Sequence, residues 1–215
     1  MTSNENQVPE QEPTEEQDAE QTLGNKVFRI VCMTFCLAVT VLFIWVWHHQ
    51  AQFNDHYRKA TFLMNNGEAE QAIEAYQKAI KNKKRTLFFT KDSSVSSAYN
   101  NLGHLYANVK EYAPAIENFK KAIEIAPDSA KGYINLTTAY LRQNLAAEAR
   151  EACLRALKTF PQTAPLHYNL ACAYALEDKS QKAIDSLTQA VNLNPDLKTL
   201  AQEENALKGI VSELP

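Results

Sequence analysis

Apolar and small residues between positions 96 and 197 follow two periods at once. Over short stretches they recur every three or four positions, which is the spacing of one face of an α-helix. Over the whole stretch the same residue types return every 34 positions. A fixed period of this length predicts a solenoid, whose units bury their apolar faces only by stacking on one another. The matching columns are Leu102, Leu136 and Leu170; Tyr106, Tyr140 and Tyr174; Ala115, Ala149 and Ala183; Ala122, Ala156 and Ala190; and Pro127, Pro161 and Pro195.

Each 34-residue unit contains two helical stripes, which predicts a pair of helices per unit. Gly103 and Ala115 are small enough to let the two helices approach closely. Pro127 ends the second helix because proline has no backbone N–H for a further turn. In residues 96–127 the first stripe is Tyr99, Leu102, Gly103 and Tyr106, and the second is Tyr112, Ala115, Phe119 and Ala122.

The segments YNNLGHLY and AIENFKKAIEIAP, both in residues 96–129, resemble the tetratricopeptide repeat (TPR). Residues 130–163 and 164–197 resemble it as well, and 53–86 resembles a degenerate first unit without the terminal proline. The resemblance implies an all-α fold, an α-solenoid of about four helix pairs. Because Ala79 and Ala122 lie 43 positions apart instead of 34, residues 87–95 are predicted to be an insertion. Residues 198–215 are predicted to form a C-terminal capping helix, which the end of a solenoid needs for solubility.

The N-terminal quarter of the chain has a different pattern. Residues 1–26 are acidic with almost no apolar residues, so they are predicted to be a disordered tail. Residues 27–47 are apolar except for Arg29 and cover roughly 30 Å as a helix, which is enough to cross a bilayer. We therefore expect a single transmembrane helix in front of the repeats.

Basic residues near the apolar segment favour one orientation. Lys26 and Arg29 flank its entry, whereas Arg58 and Lys59 follow about ten residues beyond its exit. The expectation is a bacterial inner-membrane protein with a cytoplasmic N-terminus and a periplasmic TPR domain. The alternative is a cytoplasmic TPR domain, which the basic stretch at 81–85 would also suit.

The stretch KNKKRTLFFTKDSS, residues 81–94, contains most of the predicted insertion and leaves three interpretations open. No proline or glycine lies between Lys26 and Gly67, so one helix can continue from the membrane into the first unit. The second helix of that unit would then return to the headgroups, where its basic residues meet phosphates and two aromatics enter the interface. The other interpretations are extra core between units one and two, and a docking loop for a partner. The predicted membrane-surface residues are Lys81, Lys83, Lys84, Arg85, Phe88 and Phe89.

The TPR resemblance implies that the first helices of the units line a concave groove, through positions two, five, six, nine, twelve and thirteen. Position six carries three asparagines, which either pair with the main chain of an extended peptide or are only common at this position in the family. The predicted partner-binding residues are Arg58, Asn101, His104, Lys131, Asn135, Arg142, Tyr168 and Asn169.

Composition offers little support for catalysis. The formal net charge is -3, which argues against a nucleic-acid surface, and the 5 glycines form no phosphate-binding loop. We predict no enzyme activity, no cofactor, no metal and no small-molecule substrate. Of the 4 cysteines, Cys153 is predicted to be in the core, and Cys172 is the one expected to face solvent.

These patterns together suggest a membrane-anchored scaffold or assembly factor. Its partners would be other proteins, of the membrane or the envelope, together with the lipid bilayer. The alternative is a permanent structural or accessory subunit of a multi-subunit membrane complex. In that case the transmembrane helix and the first repeat would make most of the contact.

Overall fold

The computed structural model describes residues 15–84 and 93–214, and all regular structure within them is helical. The chain divides into two compact units at His48 and His49. The helices are α1 (Glu15–Asn65), α2 (Ala69–Lys84), α3 (Ser93–Asn108), α4 (Tyr112–Ile125), α5 (Ala130–Arg142), α6 (Ala146–Leu157), α7 (Ala164–Leu176), α8 (Ser180–Leu193), α9 (Leu197–Glu203) and α10 (Lys208–Val211). The predicted helix pairs are confirmed, and α1 has no break between Trp47 and Phe53.

The turn inside each helix pair contains one residue in the left-handed region. Gly67 has φ of 80°, and Lys110, Asn144 and Asp178 have φ of 64°, 58° and 56°. The last three lie 34 positions apart, so the backbone repeats with the period of the sequence. In each turn the next backbone N–H donates to a carbonyl five residues earlier, which closes the helix end. These bonds join Glu68 to Leu63 (3.0 Å), Glu111 to Tyr106 (2.8 Å), Leu145 to Tyr140 (2.9 Å) and Lys179 to Tyr174 (2.9 Å).

The core of the repeat unit is a series of interhelical clusters. One lies among α1, α2 and α3, the next around α4, α5 and α6, and the third among α7, α8 and the C-terminal segment. Each fully buried large side chain contributes about 1.5–3 kcal/mol. The largest are Tyr76, Phe53, Phe119, Leu136, Leu166, Leu187 and Leu207.

Gly103 allows α3 and α4 to pack closely. A Cβ atom at this position would lie 2.7 Å from the Phe119 ring and 3.1 Å from the Ala115 carbonyl oxygen. The small residue predicted from the sequence is therefore required by the packing.

The N-terminal unit contains an apolar and exposed part of α1, residues 27–47. Its part of α1 contains a segment long and apolar enough to cross a membrane, and none of that segment is buried. The exposed large side chains of this unit run from Leu23 to Trp47.

The C-terminal segment differs from the single capping helix predicted for 198–215. It forms two short helices, because Glu204 adopts an extended backbone (ψ 117°) that ends α9. This break places Leu207 and Ala201 fully inside the last core cluster, whereas Leu200 stays half exposed. Burial of Leu207 is thus favoured over continuation of the helix.

The predicted insertion lies largely outside the described residues, which exclude 85–92. Its last residues, from Ser93 onward, already belong to α3. Val95 is buried in the first core cluster.

Candidate partner-binding groove

Three cavities lie along the first helices of the units. Two of them adjoin, since both are lined by Asn100, Asn101 and Lys131, and they have volumes of about 550 and 300 Å³. We call these two the polar cavities. The third, of about 690 Å³, is bounded by α5, α7, α9 and the turn after α9, and we call it the apolar cavity.

The polar cavities are lined by amides, hydroxyls and basic side chains, and the larger one also by apolar residues that include Met64, Leu105 and Val109. Lys131 is exposed, and the Nδ1 atom of His104 lies 3.3 Å from the amide nitrogen of Asn108. The further polar side chains are Tyr57, Asn65, Ser96, Ser97 and Ser129. Such a lining suits the main chain or polar side chains of a partner.

The apolar cavity presents leucines beside one ion pair. Leu176 and Leu200 are exposed at its edge, and the guanidinium of Arg142 lies 4.0 Å from the Glu204 carboxylate. The other lining residues are Ile134, Thr138, Leu141, Asn144, Pro165, Tyr168, Asn169, Cys172, Leu197, Asn205 and Ala206. Among the described residues lining the three cavities, Glu204 is the only carboxylate.

Tyr168 and Cys172 form the buried side of the apolar cavity. Burial raises the pKa of the Cys172 thiol to about 12, and it raises the pKa of Tyr168 as well. The Tyr168 hydroxyl is buried beside this thiol and has no hydrogen-bond partner of ordinary geometry within the described residues. The expectation that Cys172 faces solvent was wrong, because α9 and the turn after it cover this end of α7.

The position-six asparagines make hydrogen bonds to the preceding repeat. The amide of Asn101 donates to the Tyr76 hydroxyl at 3.0 Å, and that of Asn135 donates to the Asn100 side-chain oxygen at 2.9 Å. Asn169 is buried and its amide donates to the hydroxyls of Thr137 (2.8 Å) and Thr138 (3.1 Å). These bonds link neighbouring units, so the position-six asparagines help to hold each unit against the preceding one.

The remaining groove residues fall into two groups. Arg58, His104, Lys131 and Arg142 are exposed, as a contact residue must be. Tyr168 and Asn169 are buried, and both line the apolar cavity, so their predicted role in partner binding stays a prediction.

The predicted membrane-surface residues are only partly described. Lys81 is exposed, and Lys84 is the last residue of α2. Lys83 was predicted to meet lipid phosphates, but its side chain is buried. Its Nζ atom lies 5.5 Å from the centre of the Phe53 ring. Its ammonium group donates to the side-chain oxygen of Gln50. Arg85, Phe88 and Phe89 lie outside the described residues.

Sequence reasoning missed the contribution of the C-terminal segment. Leu197 and Glu204 line the apolar cavity, yet neither was assigned to the groove. One signal was present in the sequence, because a fifth unit would start 34 residues after Ala164. The helix α9 begins next to that position, at Leu197. Cys153 is buried as predicted, with a thiol pKa raised by burial to about 12. Within the described residues no group of three His, Cys, Asp or Glu side chains could hold a metal ion.

Comparison with known proteins identifies the repeats. Tetratricopeptide repeat models match residues 96–129 and residues 56–86 and 164–197. The chain therefore contains TPR units, and the helix pair at 130–163 continues the same period between two of them. No curated protein matches the chain.

Solved structures show the same fold at low sequence identity. MamA from Desulfovibrio magneticus RS-1 is 18% identical over 71% of this chain and 81% of its own, with a TM-score of 0.61. The thermophilic TPR protein TTC0263 from Thermus thermophilus is 23% identical over 75% of this chain and 82% of its own, with a TM-score of 0.55. A further MamA structure matches with 21% identity, 75% and 85% coverage and a TM-score of 0.62. The helical repeats of this chain thus share the fold of these TPR structures.

Proposed function

We propose that this protein is a membrane-anchored scaffold or assembly factor that binds protein partners through the groove formed by α3, α5 and α7. The observation that carries the proposal is the exposed apolar segment of α1 in a chain whose repeats are TPR units. Large apolar side chains in water are unfavourable by about 1.5–3 kcal/mol each relative to burial. A bilayer removes that cost, and the repeats then present a binding surface at the membrane.

The proposed orientation places the repeats on the periplasmic side of a bacterial inner membrane. Lys26 and Arg29 flank the apolar segment on its N-terminal side. Basic residues within short distances of a membrane segment are retained on the cytoplasmic side. The opposite orientation is an outcome of the labelling test below.

Labelling of an introduced cysteine tests the anchoring and orientation. Asp128 is exposed in the turn between α4 and α5, so Asp128→Cys gives an accessible thiol. The native Cys153 and Cys172 give little background because both are buried and protonated at neutral pH. An impermeant maleimide should label Asp128→Cys in cells with a permeabilised outer membrane, and the control Ser3→Cys only after lysis. Release of the protein by carbonate extraction would contradict anchoring, and the reverse labelling would establish cytoplasmic repeats.

Photo-crosslinking in cells tests the groove. A benzophenone amino acid at Asn108, which lines a polar cavity, should crosslink to a protein partner. The same group at Lys158, which is exposed at the end of α6, is the control and should give no comparable product. Equal products at both positions, or none at Asn108, would contradict groove binding. A stoichiometric complex that persists through detergent extraction would favour the permanent-subunit alternative.

A further inference from the structure

The apolar cavity has one wall that is not a repeat helix. α5 and α7 supply two walls, as in the rest of the groove, whereas Leu197, Leu200 and Glu204 supply the third. The cavity volume, about 690 Å³, lies in the range of cavities that accept ligands. The end of the solenoid thus forms a compartment with a wall that the preceding units lack.

The leucines at the edge of this compartment favour an apolar occupant. Leu176 and Leu200 are 41% and 49% exposed, and Leu141 and Leu197 beside them are partly buried. Apolar side chains that fill the compartment would remove these leucines from water. The lining therefore selects for large apolar groups.

Arg142 adds a requirement for negative charge. Its side chain is 60% exposed and its contact with Glu204 is 4.0 Å long, at the limit of an ion pair. A guanidinium has five N–H donors in a planar fork and pairs best with a carboxylate at hydrogen-bond distance on two of them. The long contact with Glu204 leaves this capacity largely unused, and no other carboxylate among the described residues lines the three cavities.

Tyr168 adds a donor inside the compartment. Its hydroxyl is fully buried and has no hydrogen-bond partner of ordinary geometry in the described chain. A buried hydroxyl without an acceptor is unfavourable because it has given up its hydrogen bonds to water. A carbonyl oxygen brought in by an occupant would satisfy it.

We propose that the apolar cavity binds a segment of a partner protein in which large apolar residues adjoin an Asp or Glu, and that this carboxylate replaces Glu204 beside Arg142. The proposal rests on the function proposed above and names the class of partner segment. A polypeptide is favoured because the polar cavities continue the same face, with amides and hydroxyls that suit a main chain. Lys131 provides a second exposed cation along that face for a further acidic residue.

A peptide selection tests the segment's chemistry. The full-length protein in nanodiscs is presented with random twelve-residue peptides displayed on phage, after removal of phage that bind empty nanodiscs. We expect enriched peptides to contain large apolar residues next to Asp or Glu. Absence of enrichment, or enrichment of basic or uncharged peptides, would overturn the proposal.

Binding measurements on the best enriched peptide locate its site. Arg142→Ala should weaken binding about tenfold, and so should replacement of the peptide's acidic residue by its amide. The two changes together should weaken it little more than either alone, because they remove the same contact. Glu204→Gln should strengthen binding by roughly threefold, since a competing surface carboxylate is removed.

Matched variants control for loss of folding and for nonspecific binding. Arg155→Ala removes an exposed arginine from α6, outside the apolar cavity, and should leave binding unchanged. Leu176→Ser should weaken binding severalfold, whereas Leu154→Ser removes a comparably exposed leucine (39%) and should not. Equal effects within either pair would overturn the assignment. If crosslinking from Asn108 still captures a partner in that case, the proposed function stands and only the cavity assignment fails.

Discussion

The polar cavities and the apolar cavity occupy equivalent parts of the same repeating framework, yet the balance of polar and apolar side chains in their linings differs. Around α3 the groove is lined by amides, hydroxyls and the basic side chains of His104 and Lys131. Around α7 it is lined by leucines, a buried tyrosine and a buried thiol. The backbone is repeated in both, as the left-handed turn residues show at 34-residue intervals. The difference therefore comes from the side chains and from the C-terminal segment after the last repeat.

The C-terminal segment is responsible for much of this contrast. It occupies the place of a further unit but breaks at Glu204, so its short helix covers Cys172 and Tyr168 without extending the open groove. A capping segment is usually regarded as a device for solubility. Here it also supplies one wall of the apolar cavity.

Truncation of Leu207, which packs the C-terminal segment into the core, is the substitution expected to have the largest effect on stability. Leu207 is fully buried in the last core cluster, so Leu207→Ala should lower the free energy of unfolding by about 3 kcal/mol. Urea denaturation of the full chain in detergent micelles, followed by circular dichroism, measures this change. The control Leu193→Ala, at an exposed leucine, should cost less than about 0.5 kcal/mol. Similar losses in both variants would show that the segment is not anchored through Leu207.

The repeating framework was predictable because the residues that recur every 34 positions include small and aromatic ones that helix packing requires. Gly103 could be identified as a small residue in the first stripe, and the structure shows the Phe119 ring where a side chain would have to lie. The helix pairs followed from the two stripes. Even the insertion could be located by counting between Ala79 and Ala122.

The chemistry of the groove was less predictable because burial depends on neighbours that the period does not specify. Asn169 and Asn135 share a position, but only Asn169 is buried. Cys172 is covered by a segment that lies outside the repeats, and Lys83 packs on Phe53 where a lipid-facing side chain was predicted. In each case a contact distant in sequence decides the exposure of the side chain.

Substitution of Asn169 and Asn135 tests the difference in burial between the two ends of the groove. Asn169 lines the apolar cavity, whereas Asn135 bonds to Asn100, which lines the polar cavities. Asn169→Ala leaves the hydroxyls of Thr137 and Thr138 without the amide donor, so we expect a loss of about 1.5 kcal/mol in the free energy of unfolding. Asn135→Ala removes one half-buried bond to Asn100, which water can replace, and should cost about 0.5 kcal/mol. Urea denaturation of the two variants provides the comparison. A larger loss at Asn135 than at Asn169 would contradict the difference in burial.

The Cys172 thiol gives a smaller, pH-dependent effect confined to the apolar cavity. Burial raises its pKa from 9.0 to about 12. Below pH 9 the thiol is protonated in both the folded and the unfolded chain, so it has no effect on the pH dependence of stability. Above pH 9 the unfolded chain loses this proton while the folded chain retains it, so the free energy of unfolding falls by up to about 1.4 kcal/mol per pH unit. At pH 10 the expected loss is about 1.4 kcal/mol.

Comparison of Cys172→Ala with the native chain isolates this contribution from the other buried groups. The variant should lose less stability than the native chain between about pH 8 and pH 10, by about 1.4 kcal/mol, because no thiolate forms on unfolding. Cys32→Ala, at an exposed thiol of the N-terminal unit, should retain the native pH dependence. If Cys172→Ala keeps the native slope, the thiol ionises as readily in the folded chain as in the unfolded one. The segment from α9 onward would then not shield the apolar cavity, and its contrast with the polar cavities would rest on the leucines alone.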